Sequence, residues 1–420
     1  MDALKSLDKP FVISKRAVWE AYEKVKANRG APGVDRVSLE GFEKDLKGNL
    51  YKIWNRLSSG SYFPPPVRSV EISKGPGRGS RMLGVPTVAD RIAQTVVAGV
   101  LEERAERVFH PDSYGYRSNR SALDAVRACR ERCWKYDWVV EFDIRSFFDS
   151  VRWDLVVKAV SAVCDLPWVL LYVRRWLAAP VQQLDGTLVV REKGTPQGSS
   201  ISPVLANLFL HYAFDAWMSR RHPGIPFERY ADDAVIHCDS LAQAEKVLAM
   251  LRERMDEVGL ELHPDKTRIV YCKDGRRRGE HAHTSFTFLG FEFRPRPVRW
   301  KSGQMMLGFN PAVSKDALKE MGARVRSWRL HRCTNLTEKD LARWINPIVR
   351  GWMQYYGAYY RSALYPLLGR INAYLVRWLR NKYERLRRRK KAQKAWENAV
   401  ALRPSFFSHW RWVPSVPGVW

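Results

Sequence analysis

Cysteine is scarce in this chain of 420 residues: six, at positions 129, 133, 164, 238, 272 and 333. Only Cys129 and Cys133 stand close, four apart on a helical pattern, and no second pair at metal-ligand spacing accompanies them. They read as two ordinary thiols, which argues against a zinc module and predicts an intracellular, thiol-reduced setting. Long apolar runs are also missing. The most apolar segment, "LPWVLLYVRRWLAAPV", is split by Arg174 and Arg175, and the amino terminus "MDALKSLDKPFVISKR" has no apolar core. Neither a membrane span nor a secretory signal is expected. Acidic residues are in the minority, 44 against 71 lysines and arginines, for a net charge of +27. That surplus points to a polyanionic partner, and 17 tryptophans and 17 tyrosines offer stacking surfaces for bases. The bland alternative is a merely basic globular protein. A hydrophobic content of 45% excludes general disorder and suits two or three domains with proper cores.

Helical periodicity runs through "AVWEAYEKVKANRG", with Gly30 as the expected C-terminal cap, and resumes in "LEGFEKDLKGNLYKIWNRL". On its residues alone the intervening "NRGAPGVD" is a polar connection. "YFPPPVRSVEIS" ends in a short strand, "KGPGRGSR" is a turn of glycines and cations, and a long helix follows Pro86. Next come the helix "SALDAVRACRERCW", the strand "WVVEFDIRSFFDSV", a helix pair over 154–178 and a hairpin turning at Asp185-Gly186. Ser202 and Pro203 are the expected cap and first-turn residue of "SPVLANLFLHYAFDAWMSRR". A strand around 230, a helix over 241–258 and the strands "TRIVYC" and "FTFLGFEF" follow. Strands alternating with helices predict an α+β domain on a small antiparallel sheet. Beyond about 310 strand signals vanish and helices rich in Arg and Trp take over, so a boundary is expected at 300–312.

The stretch "ERYADDAVIHC" sets Asp232 and Asp233 side by side in an apolar run, where a strand has no use for paired like charges. If the segment is a tight hairpin, both sit at its turn, next to Asp143 at the end of the apolar strand "VVEFD". Three gathered carboxylates need cations, and oxygen-only ligands suit a pair of Mg²⁺ ions (Mn²⁺ is possible) poised for in-line phosphoryl transfer. An isolated Tyr-x-Asp-Asp match reads first as an exposed, Asp-rich turn and only second as a catalytic site.

Its company decides the matter. In order along the chain stand "NRGAPGVDRVSLEGF", "SRMLGVPTVADRIAQ", "VVEFDIRSFFDSV", "GTPQGSSISPVLANLFL", "RYADD", "GLELHPDKTRIV" with "FTFLGFEF", and "INPIVRGWMQYYGAYYRSAL". Together they resemble the reverse transcriptases, or maturases, encoded by bacterial group II introns. The resemblance implies a right-hand polymerase fold, with fingers and palm on a small antiparallel sheet flanked by helices, and an all-helical thumb. It implies an N-terminal extension with a template-contacting loop over 1–60, fingers and palm over 61–305, a thumb and maturase domain over 306–400 and a tail over 401–420. Asp143 and Asp232 are the implied principal metal ligands, with Asp233 beside the primer 3′ end and the Ile144 carbonyl helping to hold the nucleotide's metal. Phe148 falls at the steric gate beneath the sugar, with a plain core residue as its alternative. Gln197 lies against the incoming nucleotide, while Gly194 and Gly198 admit close backbone approach. Lys74 and Arg81 neutralise triphosphate charge, with Arg78 a substitute for Lys74 because the turn is a residue longer than usual. Lys266 is a phosphate contact, a proton donor to pyrophosphate or an exposed surface lysine.

Arg370, Arg377 and Arg380, with Tyr374 and Trp378 between, fit a surface gripping a phosphate backbone, and "RLRRRKKAQK" is too cationic to pack inward. The tail "SHWRWVPSVPGVW" carries no His/Cys cluster, as expected of the endonuclease-lacking type. The expected protein is a cytoplasmic, RNA-associated RNA-directed DNA polymerase acting on dNTPs and a template–primer duplex, which also binds its intron RNA to assist splicing and mobility. The rivals are an RNA-binding splicing cofactor with a silent polymerase, and a domesticated or defence-linked reverse transcriptase.

Overall fold

The computed structural model describes residues 9–73, 79–299 and 303–415. Its architecture is mixed α+β, and the chain divides into two compact units, Met1–Ala125 with Val140–Arg268 and Val126–Val139 with Ile269–Trp420.

The first three helices are α1 (Lys15–Asn28), α2 (Leu39–Glu43) and α3 (Leu46–Ser58). Ser14 caps α1 by accepting the Ala17 N–H at 3.0 Å. What reads as one helix over 39–57 is two, because Asp45 breaks it and caps α3 through the Gly48 N–H at 3.2 Å. The left-handed residue closing α1 is Arg29, with φ of 45°, not Gly30. A Cβ on Gly30 would meet only the movable guanidinium end of Arg91. The "NRGAPGVD" loop is more than a polar connection. Arg68 donates to the Pro32 carbonyl at 2.6 Å, Arg91 to that of Ala31 at 3.0 Å, and a Cβ on Gly33 would lie 2.6 Å from the Thr87 backbone.

The hairpin of β1 (Val67–Ser73) and β2 (Ser80–Val85) leads into α4 (Val88–Ala105). β2 has no clear sequence signal. The chain continues through α5 (Ala122–Cys133), β3 (Trp138–Phe142), α6 (Phe147–Ser150), α7 (Trp153–Val163), α8 (Pro167–Leu177), β4 (Val181–Gln182) and β5 (Leu188–Val189). The β4–β5 hairpin turns at Asp185-Gly186 as expected, with Gly186 at φ of 91°. Next are α9 (Ser202–Leu210), a π-helical turn over His211–Asp215, α10 (Ala216–Arg221), β6 (Phe227–Tyr230), β7 (Asp233–Cys238), α11 (Leu241–Glu257) and β8 (Arg268–Tyr271). Ser202 is the first helical residue rather than the cap. Its hydroxyl bonds the Pro196 carbonyl at 2.9 Å and the Thr195 hydroxyl at 2.7 Å, tying down the preceding loop. The expected single antiparallel sheet is three sheets. One is ordered β2-β1-β4-β5 with a parallel β1–β4 pair, and one is ordered β6-β7-β3-β8.

The third, β11-β10-β9, belongs to the second unit and comprises β9 (Phe286–Phe288), β10 (Phe291–Arg299) and β11 (Met305–Val313). Strand character thus persists to Val313, through the stretch where the boundary is expected. Asn310-Pro311 disguises it, because Pro inside a run normally argues against a strand. Helices α12 (Lys315–Ser327), α13 (Glu338–Tyr356), α14 (Tyr365–Lys382) and α15 (Arg389–Leu402) then enclose an apolar core. Trp378 belongs to that core and not to a phosphate-facing surface. It is 1% exposed and donates its indole N–H to the Cys333 carbonyl at 2.8 Å. Arg370 and Arg377 are exposed, whereas Arg380 folds back onto the Arg387 carbonyl at 3.1 Å. The run Arg387–Lys391 is exposed throughout. Among the described residues no helix is long and apolar enough to cross a membrane.

Candidate active site

The antiparallel pairing of β6 with β7 sets Tyr230 opposite Asp233, leaving Ala231 and Asp232 as a two-residue turn. Ala231 adopts φ of 57°, the left-handed conformation such tight hairpins require. Asp232 thus lies in the turn and Asp233 is the first residue of β7. Asp143 directly follows β3, and its carbonyl accepts the His263 N–H at 2.8 Å while the Arg145 N–H donates to Glu261 at 2.8 Å. Those two bonds flank the Ile144–Leu262 pair, so the Ile144 carbonyl takes no part in them.

The electrostatics show the carboxylates crowding. Burial pushes the Asp232 carboxyl up, and the Asp143 charge adds to it. Burial, then Asp232 and Asp143, push Asp233 up to about 7, although its outer edge is open to solvent. Lys266 opposes the rise and donates its ammonium to Asp143 Oδ2 at 2.6 Å. Asp143, Asp232 and Asp233 are oxygen-only donors at the ends of neighbouring strands, with the Lys266 ammonium on Asp143, a donor set whose chemistry suits hard divalent cations such as Mg²⁺.

A second set of residues is tied to the first by the 194–200 loop. The Thr195 N–H donates to the Phe148 carbonyl at 2.7 Å, and the Gly194 N–H to that of Val151 at 2.7 Å. Phe147 is the buried core ring and Phe148 the half-exposed one. The Gln197 carbonyl accepts the Gly84 N–H of β2 at 2.7 Å, and a Cβ on Gly198 would come within 2.8 Å of the Gly84 carbonyl. Arg81 lies exposed on the same strand; Lys74 and Arg78 lie outside the described residues. Gln94 holds the loop from below. Its Oε1 accepts Ser199 Oγ at 2.6 Å and the Ser200 N–H at 2.8 Å, while its Nε2 donates to the buried Asp90 at 2.9 Å. Burial raises Asp90 to about 6, against the opposing hydrogen bonds from Trp176, Tyr62 and Gln94.

The residue that sequence reasoning missed is Arg229, 1% exposed beneath the aspartate turn. All five of its N–H donors are used. Nε and Nη2 make a bidentate pair with buried Asp215 at 2.6 Å each, and Nη2 also reaches Ser113 Oγ at 2.8 Å. Nη1 donates to Asn207 Oδ1 and to the Ala231 carbonyl, both at 3.0 Å. Burial works to raise the Asp215 carboxyl, but Arg229 outweighs it and holds the group below its usual value. The one signal in the sequence is the adjacent charged pair Glu228-Arg229 between Phe227 and Tyr230 in a short strand. Arg229→Ala leaves Asp215 buried with only His211, 3.6 Å away, beside it, and should cost about 3–5 kcal/mol of stability. Urea unfolding of wild type and variant checks this, with Arg229→Lys recovering only part of the loss because a lysine cannot make the bidentate pair.

Comparison with known proteins agrees with this geometry. The reverse transcriptase (RNA-dependent DNA polymerase) family model matches residues 72–293, more than half of the chain, and the group II intron maturase-specific domain matches 318–396. Protein YkfC of Escherichia coli (strain K12) is 31% identical over 315 residues, covering 64% of this chain and 78% of that protein. The group II intron-encoded protein LtrA of Lactococcus lactis subsp. cremoris is 31% identical over 204 residues, 48% of this chain but 33% of LtrA. The retron Mx162 reverse transcriptase of Myxococcus xanthus is 28% identical over 190 residues, 41% of this chain and 38% of the retron enzyme. The chain thus spans only about a third of the length of LtrA and of the retron enzyme. An RNA-dependent DNA polymerase domain followed by a maturase-specific domain makes this chain a member of the group II intron reverse transcriptase/maturase family.

Proposed function

We propose that the protein is an RNA-directed DNA polymerase of a group II intron that also binds the intron RNA to assist splicing and mobility. In this reading it has the right-hand arrangement, with an N-terminal extension over 1–60, fingers and palm over 61–305, a helical thumb and maturase domain over 306–400 and a tail over 401–420. The observation that carries the reading is that Asp232 and Asp233 stand at a tight hairpin turn and Asp143 directly follows the neighbouring strand β3, inside a chain of net charge +27. A module that only bound RNA would gain nothing from clustered negative charge facing its ligand.

Asp143 and Asp232 as principal ligands, with Asp233 and the Ile144 carbonyl, would hold two Mg²⁺ ions, Asp233 lying beside the primer 3′ end. When bound, such a pair activates the attacking 3′-hydroxyl and stabilises the leaving pyrophosphate. The Phe148 ring lies beneath the sugar and leaves no room for a 2′-hydroxyl. Gln197 orients the nucleotide from a loop pinned to β2, and Arg81, with Lys74, draws the triphosphate in. Lys266, held beside Asp143, contacts the phosphates or protonates the departing pyrophosphate. The exposed run Arg387–Lys391, with Arg370 and Arg377, offers the phosphate-binding face for template–primer and intron RNA.

Primer extension on a structured RNA template with four dNTPs and Mg²⁺ tests this. Asp143→Ala, Asp232→Ala and Asp233→Ala should each lose on the order of a hundredfold or more in rate while keeping RNA affinity. A wild type that extends nothing yet promotes splicing of an intron RNA would hand the case to the silent-polymerase cofactor. Phe148→Ala should admit ribonucleotides, narrowing the dNTP/NTP ratio of kcat/KM by roughly 10–100-fold. An unchanged ratio would return Phe148 to a packing role.

The raised Asp233 carboxyl adds a prediction in pH. Between about 4 and 7 the unfolded chain gives up this proton while the folded protein keeps it, so the group's contribution to stability falls as pH rises through that window. Mg²⁺ binding relieves the repulsion only where the carboxylates are ionised. The metal should therefore raise the thermal midpoint more at pH 8 than at pH 5.5, and Asp233→Asn should shrink the difference. Equal shifts at both pH values would rule out Asp233 as part of the metal site.

A further inference from the structure

A segment outside the motif set lies against the aspartate turn. Ser113 and Arg229 form a parallel bridge: the Arg229 N–H donates to the Asp112 carbonyl at 3.0 Å, and the Tyr114 N–H to that of Arg229 at 2.8 Å. Continued in parallel register, Gly115 falls beside Ala231 and Tyr116 beside Asp232. The contacts bear this out. A Cβ on Gly115 would strike the Ala231 backbone nitrogen, and the Gly115 carbonyl is held by Asn207 Nδ2 at 2.6 Å, from the side chain that also receives Arg229. The close approach and the hydrogen bonds leave the chain little freedom to place Tyr116 elsewhere.

Tyr116 is unusual on two counts. Its φ is 55°, a left-handed conformation that a bulky side chain adopts only under constraint. Its ring is 52% exposed and has no aromatic or cation partner among the described residues. A large ring held in a costly conformation and left in solvent stabilises nothing in the free protein that Asn or Gly would not stabilise better. The groups that act on its phenol are Asp232, Tyr230, Arg81 and Asp233. The parallel register that sets Gly115 against Ala231 therefore leaves the ring within electrostatic reach of both the aspartate turn and the cation of the proposed triphosphate contact. Burial, and then Asp232, push the phenol up, so the ring meets a polyanionic ligand in its neutral form.

We propose that Tyr116 is a substrate-contacting residue of the nucleotide site, its ring packing on the incoming deoxynucleoside triphosphate beside Asp232. The inference rests on the polymerase reading above. The strain at φ of 55° then has a physical role, since it aims the ring at the site before substrate arrives.

Single-nucleotide extension of a DNA primer on an RNA template tests this, with dNTP titrated against wild type, Tyr116→Phe, Tyr116→Ala and Tyr116→Asn. Template–primer Kd by fluorescence anisotropy and thermal midpoints accompany each protein. Tyr116→Ala and Tyr116→Asn should raise the nucleotide KM by roughly tenfold, with Tyr116→Phe within about twofold of wild type. Template–primer Kd should not move. The thermal midpoint of Tyr116→Asn should equal or exceed that of wild type, because Asn tolerates the left-handed backbone. A merely structural tyrosine would show the reverse, a lowered midpoint with KM unchanged, and that result overturns the inference. So does a weakened template–primer Kd with KM intact, which would make the ring a nucleic-acid contact. If wild type itself extends no primer, the polymerase reading fails and takes this inference with it, an outcome distinguished by every variant being equally inactive.

Discussion

The site hangs on one buried guanidinium. Arg229 shares its five donors among an acidic side chain of the π-helical turn, an amide of α9, a hydroxyl of the 112–117 segment and the backbone of the aspartate turn itself. The 112–117 segment comes from 116 residues earlier in the chain, while Asn207 and Asp215 lie on one continuous helical run. Desolvating Arg229 and Asp215 is expensive, and a well-packed apolar pair would often be as stable. An apolar pair could not fix the orientation of the Ala231 carbonyl, and with it the direction in which Asp232 leaves the turn. The π-helical turn belongs to the same arrangement. Its extra residue shifts the helical register at His211–Asp215, and Asp215 closes that turn where both its oxygens meet Arg229.

Above this support lies a deliberate imbalance of charge. Asp143, Asp232 and Asp233 are delivered by the ends of two strands and a tight turn, so backbone pairing sets their positions. Burial and the neighbouring charges raise the Asp232 and Asp233 carboxyls, partly offset by Lys266. The 194–200 loop is held in a similar way from underneath, by Gln94 on buried Asp90 and by backbone bonds to β2 and to Phe148. In both places saturated polar groups are buried, and the groups proposed to meet ligand are left open. This division lets a site be rigid and reactive together, since the supporting hydrogen bonds lie away from the water that would weaken them.

The carboxylates are legible in the sequence because two adjacent aspartates break an apolar strand and their repulsion has to be answered by cations. Asp143 is legible through the apolar strand before it, and Phe148 and Gln197 through the resemblance of their motifs. What is not legible shares a physical cause. Arg229 looks like an ordinary strand cation until Asp215 is brought to it, and Gln94 looks like one more polar helical residue until Ser199 reaches it. Trp378 reads as a stacking surface because helical spacing places it among arginines, yet Leu375, Leu379 and Ile371 lie on the same buried face. Residue preference assigns the left-handed position after α1 to Gly30, but the helix closes one residue earlier, on Arg29, whose N–H reaches the Lys26 carbonyl at 3.3 Å. Local pattern shows which groups are chemically odd. It does not show which buried partners make them tolerable.

A polymerase must attract a polyanion and also bring cations to the place where that polyanion reacts. A uniformly basic surface would meet the first need and exclude divalent metal from the second. Here the surplus of +27 leaves exposed runs such as Arg387–Lys391 solvated, while a small acidic island is kept at the strand ends. Exposed charges act over about a Debye length, roughly 8–10 Å in physiological salt, so the island keeps its own sign despite the chain's net charge. What must be excluded is collapse of the island onto nearby cations. Asp143 pairs with Lys266, a flexible and largely exposed ammonium that can yield to a metal or a phosphate. The permanently charged, bidentate partner is spent instead on Asp215, below the site, where exchange would be harmful. The choice of lysine above and arginine below is thus the chemical difference between a contact meant to exchange and one meant to hold.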